Sequence, residues 1–199
     1  MHSWEPNRAK YSAHFAAPNQ ASPVHAETLP AEPAARSALS AALTTTLLVV
    51  QHIDHEGPDQ LGRLAEQRGL RLRVIRPDRG ELLPSPDQCP NTIALVLGGP
   101  MGVNERNQEG MAWLQRELDW LVAWHQACQP VIGICLGAQL LAVAAGGTVE
   151  TLQVGEPAQA LKEVGFGAIH WRVSSTKEPL VQGQPDSTMA LHWHGDRIR

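Results

Sequence analysis

From Leu47 onward the chain alternates short apolar runs with amphipathic stretches. LLVVQ (47–51), RLRVIR (71–76), IALVL (93–97) and VIGI (131–134) are four such runs, each bounded by polar residues, Pro or Gly. The stretch 59–68, closed by Gly69, reads as a helix. So does 108–127, where Met111, Leu114, Leu118, Leu121 and Val122 recur at helical spacing. A Leu/Ala-rich helix over 138–145 ends at Gly146-Gly147. Continuous apolar strands separated by helices predict βαβ units and a parallel sheet covered on both faces. After residue 147 the texture changes to β-rich, Gly-punctuated segments at 148–154, 162–173 and 187–193. No internal repeat and no heptad run is found.

Residues 1–43 differ from the rest. They are rich in Ala, Pro, Ser, Asn and Gln and carry no sustained period, so they bury too little surface to offset their ordering entropy. The segment is expected to be a disordered tail ahead of a domain over 44–199. A transit-peptide reading, suggested by Arg8, Lys10 and Arg36, is weakened by Glu5, Glu27 and Glu32.

Composition narrows the function classes. The 199 residues are 43% hydrophobic and 18% charged, enough apolar material for a core. Lys+Arg 16 against Asp+Glu 20 gives a net charge of −4, with no run of like charges. That argues against nucleic-acid and membrane-surface partners, which would need a basic stripe. Three cysteines without C-x-x-C spacing, and no secretory signal, argue against a disulfide scaffold and a structural zinc site. The expectation is a cytoplasmic α/β protein with reduced thiols, no metal and no cofactor.

The chemistry concentrates at Gly133-Ile134-Cys135-Leu136-Gly137-Ala138-Gln139. A buried strand runs into Cys135 and a helix begins just after it, with glycines two positions away on either side. This is the pattern of a nucleophile elbow with sulfur in place of oxygen. A thiolate at a helix N-terminus is favoured by the helix dipole and by free backbone N–H groups. The N–H of Leu136 would then face an oxyanion beside the sulfur. A lone Cys in an apolar run is more often a small core residue, and the paired glycines are what decide against that here. Cys89, in a Pro-flanked loop, and Cys128, at a helix end, lack this setting and read as structural.

The loop LGGPMG (97–102) follows the third strand, and in a doubly wound sheet ligands bind beyond the carboxyl ends of the strands. Gly99 could therefore supply a second oxyanion donor. A nucleotide loop is disfavoured, because the spacing is not G-x-G-x-x-G and no Lys follows. His192-Trp193-His194-Gly195-Asp196 closes a later strand, where His194 and Asp196 could act as base and orienter, or the histidines could simply be half-exposed β residues. His52, Asp54, His55 and Glu56 also lie past a strand end. A metal shared by them and His194 would need ligands from separate loops without diagnostic spacing, and it is not expected.

LGGPMG, GICLGAQLLA, the glycine pair and HWHGD, in this order and at these separations, resemble the class I glutamine amidotransferase domain, and within it the stand-alone group similar to GMP synthase. The resemblance covers about Leu47 to Arg199. It implies a flavodoxin-like, mostly parallel, doubly wound α/β sheet. It further implies that Cys135 is the thiol that attacks the side-chain amide of glutamine, and that Gly99 and Leu136 are the oxyanion donors. Gln139 would help to hold the substrate, and Trp193, His194 and Gly195 would form the segment that binds its α-amino and carboxylate ends. Glutamine or a γ-glutamyl compound is the implied ligand, with a synthetase as a possible partner.

In the same family the catalytic His and Glu lie in a later Q-F-H-P-E-type motif, which this sequence does not contain before Arg199. The expectation is therefore a chain truncated at the C-terminus, missing its last strand and helix. Two functions follow: hydrolysis of the glutamine amide through a Cys135 thioester, or an inactive fragment or pseudoenzyme that binds glutamine or a partner without turnover. A substitute triad of Cys135, His194 and Asp196 conflicts with the role of HWHGD in the family. Another cysteine hydrolase of similar shape, such as one like dienelactone hydrolase, is opposed by the GGP loop and Gln139.

Overall fold

The computed structural model describes residues 44–172 and 178–199. The tail expected over residues 1–43 lies outside them. The first half of the fold is β1 (Thr46–Val50), α1 (Asp59–Gln67), β2 (Arg71–Ile75), β3 (Thr92–Val96), α2 (Ala112–Gln126), β4 (Val131–Gly133) and α3 (Leu136–Ala144). All four strands run parallel, in the order β2-β1-β3-β4. Val50 pairs with Ile75 and with Val96, and Val96 pairs with Gly133, so the four carboxyl ends finish level. The chain leaves β1 toward β2 on one side and returns as β3 on the other. The loops after β1 and β3 are therefore neighbours at the point where the strand order reverses, the usual place for a ligand crevice.

The apolar runs of β1 and β3 are continuous because both faces of the sheet are covered there, whereas the edge strands β2 and β4 leave Val74 and Ile132 exposed. Leu48, Val50, Ala94 and Val96 face a core shared with Leu114, Leu121 and Trp124 of α2 and Leu136 and Leu140 of α3. The alternate residues Leu47, Val49, Leu95 and Leu97 pack with Ala65 of α1 on the opposite face. Among the described residues β4 is an edge strand, paired only with β3. No helix among them is long and apolar enough to cross a membrane.

The second half is built from short antiparallel pairs: β5 (Val149–Thr151) with β10 (Asp196–Ile198), β6 (Gln153–Val154) with β7 (Gln159–Ala160), and β8 (Glu163–His170) with β9 (Ser187–His194). One face of the β8–β9 pair presents Val164, Phe166, Met189, Leu191 and Trp193 to solvent. The other carries Glu163, Gly165, Gly167, His192 and His194.

Two boundaries differ from the sequence pattern. The helix expected over 108–127 starts only at Ala112, because Gly110 adopts a left-handed φ of 82° behind a 3-10 segment, Val103–Asn107. The helix expected from residue 138 begins at Leu136, directly after the cysteine.

The turn between β4 and α3 leaves no room for side chains at its glycines. A Cβ on Gly137 would stand 2.2 Å from the Val96 carbonyl oxygen, and one on Gly133 would stand 2.6 Å from the backbone of Gly137 and Ala138. Gly137→Ala is expected to cost about 3 kcal/mol or more, since the obstacle is backbone in the core of the sheet. Gly57→Ala, with nothing within 4 Å of the new Cβ, should fall within about 0.5 kcal/mol of the parent. Urea unfolding of the two variants measures the difference.

Candidate active site

The site is assembled from three backbone segments that meet at the carboxyl ends of β1, β3 and β4. The first is the elbow. Cys135 has φ 51° and ψ −112°, a backbone conformation that costs a side-chain-bearing residue about 1–3 kcal/mol. The cost is borne because the turn is fixed on both sides. Ile134 N–H donates to the Val96 carbonyl at 2.9 Å, and Gly137 N–H donates to the Leu97 carbonyl at 3.1 Å. The result is a thiol that remains exposed between β4 and α3. β4 itself is not the buried strand expected from the sequence, because as an edge strand it leaves Ile132 and the following Ile134 exposed. Leu136, the first helical residue, contributes an N–H that has no acceptor within the helix.

The second segment is Leu97–Gly102. Gly98 lies directly against the elbow: a Cβ there would sit 3.4 Å from Cys135 Cβ and 3.2 Å from a Glu56 carboxylate oxygen. A Cβ on Gly99 would stand 3.2 Å from Leu136 Cδ2 and 3.3 Å from His52 Cβ. Glycines at both positions let the loop backbone reach the cysteine and the start of α3. The sequence-predicted pair Gly99 and Leu136 is thus brought together beside Cys135.

The third segment is the end of β9. The Trp193 carbonyl oxygen lies 4.0 Å from Cys135 Sγ, while the Trp193 ring projects into solvent, 70% exposed. Gly195 is held by its carbonyl, which accepts from Leu152 N–H at 2.8 Å. Gln139, one turn into α3, is buried, and its N–H donates to the Cys135 carbonyl at 3.1 Å.

His194 is not placed as the base of a substitute triad. Its Nδ1 faces the backbone carbonyl of Asp196 at 3.0 Å, not the carboxylate, and its Nε2 faces Glu163 Oε2 at 3.1 Å. The strand register explains this: Glu163 sits directly opposite His194 on β8 and competes for the ring. Glu163, His192 and His194 each offer one ligand atom, all within 4.8 Å of one another, and form the place among the described residues where a cation would find three ligands. A carboxylate shared by two imidazoles across a strand pair accounts for the same arrangement without one. The grouping of His52, Asp54, His55 and Glu56 with His194 does not form. Asp54 turns to Arg76 and Arg79, and the Arg76 hydrogen bond with the Arg79 charge holds its carboxyl below the usual carboxylate range.

The hydropathy pattern misses one feature entirely. His52, which reads as the start of a polar loop, is buried, and so is Glu117 in the middle of α2; both side chains are 0% exposed. His52 Nε2 lies 2.9 and 3.1 Å from the two Glu117 carboxylate oxygens, and Nδ1 lies 2.7 Å from the Gly98 carbonyl. The Trp113 ring stacks on the imidazole at 5.7 Å. Burial opposes protonation of the ring, but the Glu117 hydrogen bond and charge, with the Gly98 carbonyl and Asp78, outweigh it and raise the His52 pKa above the ordinary value. The signal in the sequence was an acid at residue 117, on the apolar stripe of Leu114, Leu118 and Leu121.

The family model for glutamine amidotransferase class-I matches residues 59–199. The chain belongs to the class-I glutamine amidotransferase family. It is 32% identical over 162 residues to a glutamine-hydrolysing GMP synthase of Streptomyces avermitilis, covering 80% of this chain and 26% of that protein. It is 31% identical over 153 residues to the glutamine amidotransferase-like protein YfeJ of Salmonella typhimurium, covering 74% and 60%. Among solved structures, a glutamine amido transferase from Methylobacillus flagellatus superposes with TM-score 0.64 and 28% identity, over 78% of this chain and 57% of that one. A glutamine amidotransferase from Thermotoga maritima shares the fold at TM-score 0.65 and 24% identity, over 78% and 62%. The chain thus spans from about a quarter to three-fifths of the length of these relatives, and the flavodoxin-like sheet expected from the sequence is the one found.

The buried pair gives the amidotransferase fold a pH signature. Because the His52 pKa is raised on folding, its stabilisation is complete below about pH 6.5, the ordinary imidazole value, and is lost as pH rises through the raised value. Urea midpoints should fall over that window in the parent, and the pair's share of the slope should vanish in the double variant His52→Leu/Glu117→Leu. Glu117→Ala alone should cost about 3–5 kcal/mol, because it strands a buried imidazole without its counter-charge.

Proposed function

We propose that this chain carries the thiol and oxyanion half of a glutaminase site. Cys135 Sγ attacks the side-chain amide carbon of glutamine or of a related γ-glutamyl compound. The oxygen that gains charge is received by the N–H groups of Gly99 and Leu136. The thiol proton passes to the amide nitrogen, the C–N bond breaks, and ammonia leaves behind a γ-glutamyl thioester. Water then hydrolyses the thioester to glutamate and regenerates the thiol. Trp193, His194 and Gly195 line the approach to the thiol and take the α-amino and carboxylate ends of the substrate, with Gln139 supporting the pocket from α3. The ammonia is released or handed to a synthetase partner; the name of the Streptomyces avermitilis relative likewise couples glutamine hydrolysis to a synthase. The observation that carries this reading is an exposed cysteine held at φ 51° on a strand–helix elbow, with the Gly98–Gly99 backbone packed against it.

The base is proposed to come from polypeptide outside these 199 residues, the region where the family motif places its His and Glu. The support is that His194, adjacent in sequence to the Trp193 contact, has its two nitrogens directed to the Asp196 carbonyl and Glu163. The same observation favours a second reading, in which the chain alone binds glutamine without turnover. In a serine-protease triad the loss of the His costs about 10⁶ in kcat, so a chain without its base is expected to show no turnover in an ordinary assay.

A glutaminase assay on three proteins tests this: the chain, the chain extended with the C-terminal segment of the Salmonella relative, and Cys135→Ala in the extended form. Turnover should appear only in the extended protein and should disappear with Cys135→Ala. An extended protein that binds glutamine saturably but releases no ammonia would support the binding reading instead. Turnover by the chain alone, abolished by His194→Ala without unfolding, would establish the substitute triad and overturn the assignment of the base.

A further inference from the structure

We infer that the buried His52–Glu117 pair is a positioning device for the oxyanion loop: it anchors the Gly98 carbonyl and thereby aims the Gly99 N–H. The inference rests on the glutaminase reading above. Both groups that face the His52 ring are acceptors, the Gly98 carbonyl oxygen at Nδ1 and the Glu117 carboxylate at Nε2. A neutral imidazole has a single N–H and could donate to only one of them. The arrangement therefore calls for the imidazolium, with both nitrogens donating and Glu117 as its counter-charge. The bond to Gly98 is then charge-assisted, and its 2.7 Å length fits that class.

What this bond controls follows from peptide geometry. The Gly98 carbonyl and the Gly99 N–H belong to one planar trans unit, in which the two dipoles point in opposite directions. Fixing the carbonyl toward His52 fixes the N–H away from it. The unit lies between His52 and the elbow: Gly98 packs against Cys135, and Gly99 packs against both Leu136 and His52. If the unit rotated by half a turn, a carbonyl oxygen would replace the N–H donor, and an oxyanion would meet a negative dipole instead of a positive one. A glycine on each side of the peptide offers no Cβ to resist that rotation. The clamp from His52 does so instead, and it also polarises the peptide so that its N–H is a stronger donor.

The clamp is itself rigidly mounted. Glu117 is fixed in the buried face of α2, between Leu114 and Leu121, and Trp113 of the same helix stacks on the ring. His52 follows β1 by two residues, and Gly98 follows β3 by two, on adjacent strands that are in register. The pair therefore ties the loop after β3 to the loop after β1 and to α2. His52 and Glu117 are positioning residues in this account, and neither contacts the substrate.

The test compares two alkylations of Cys135 in the full chain, neither of which needs a base from elsewhere. A glutamine-like chloromethyl ketone presents a carbonyl whose oxygen uses the oxyanion donors, whereas iodoacetamide is a simple displacement at saturated carbon. His52→Leu should lower the ketone rate by about a hundredfold, the scale of losing one oxyanion donor, and leave the iodoacetamide rate within about twofold. His52→Asn, whose amide nitrogen can stand where Nδ1 stood, should recover most of the ketone rate. Glu117→Gln, a near-isosteric change that keeps the ring in place but removes its counter-charge, should lie between the two and covers the case in which His52→Leu fails to fold. A purely structural role would move both rates together. A ratio of ketone to iodoacetamide rate that is unchanged in His52→Leu, or in Glu117→Gln if the former is unfolded, overturns the inference. Failure of the ketone to label Cys135 in the parent protein would instead overturn the glutaminase reading, and this role with it.

Discussion

The site depends on how closely the first turn of α3 approaches the end of β3. With Gly137 almost in contact with the Val96 carbonyl, the helix starts one residue after the cysteine and has no slack. That approach forces Cys135 into its strained backbone conformation, exposes its sulfur and brings Leu136 beside Gly99. Only glycine at 133 and 137 permits it, and the hydrogen bonds from Ile134 and Gly137 to the buried strand β3 and the residue after it hold the strain. Packing and chemistry are therefore the same constraint at this point. The core residues Leu136 and Leu140 anchor the helix whose N-terminus serves the thiol.

Much of this was legible in the sequence, for a physical reason. Strands buried on both faces read as unbroken apolar runs, and the runs at 47–51 and 93–97 contain the two central strands, while the run at 131–134 is the edge strand β4, with Ile132 exposed. The elbow was legible because it needs glycine at two defined positions, a requirement that leaves a mark in the residues themselves. The start of α2 was not, because Met111 continues the apolar spacing although Gly110 has already set the backbone for a turn.

The less legible part is polar and long-range. Nothing local identifies His52 as a core residue, since its partners lie 46 and 65 residues away, at Gly98 and Glu117. Glu117 left a trace as an acid on an apolar stripe, but such a trace has no meaning until its partner is known. The orientation of His194 was illegible for a similar reason. The spacing of His194 and Asp196 suggests a relay, whereas the cross-strand register hands the ring to Glu163 and leaves it only the backbone of Asp196.

Cys135, set in this elbow, is proposed to be the thiol that meets glutamine. The most direct measurement is the rate at which each of Cys89, Cys128 and Cys135 takes up a glutamine-like chloromethyl ketone in the folded chain, followed by peptide mass mapping with and without L-glutamine. Cys128 is the informative control, because it too is exposed but lies just after α2, outside the elbow. Labelling is expected at Cys135 ahead of both others, slowed saturably by L-glutamine. Labelling of Cys128 at the same rate, or a Cys135 rate that L-glutamine leaves unchanged, would contradict it.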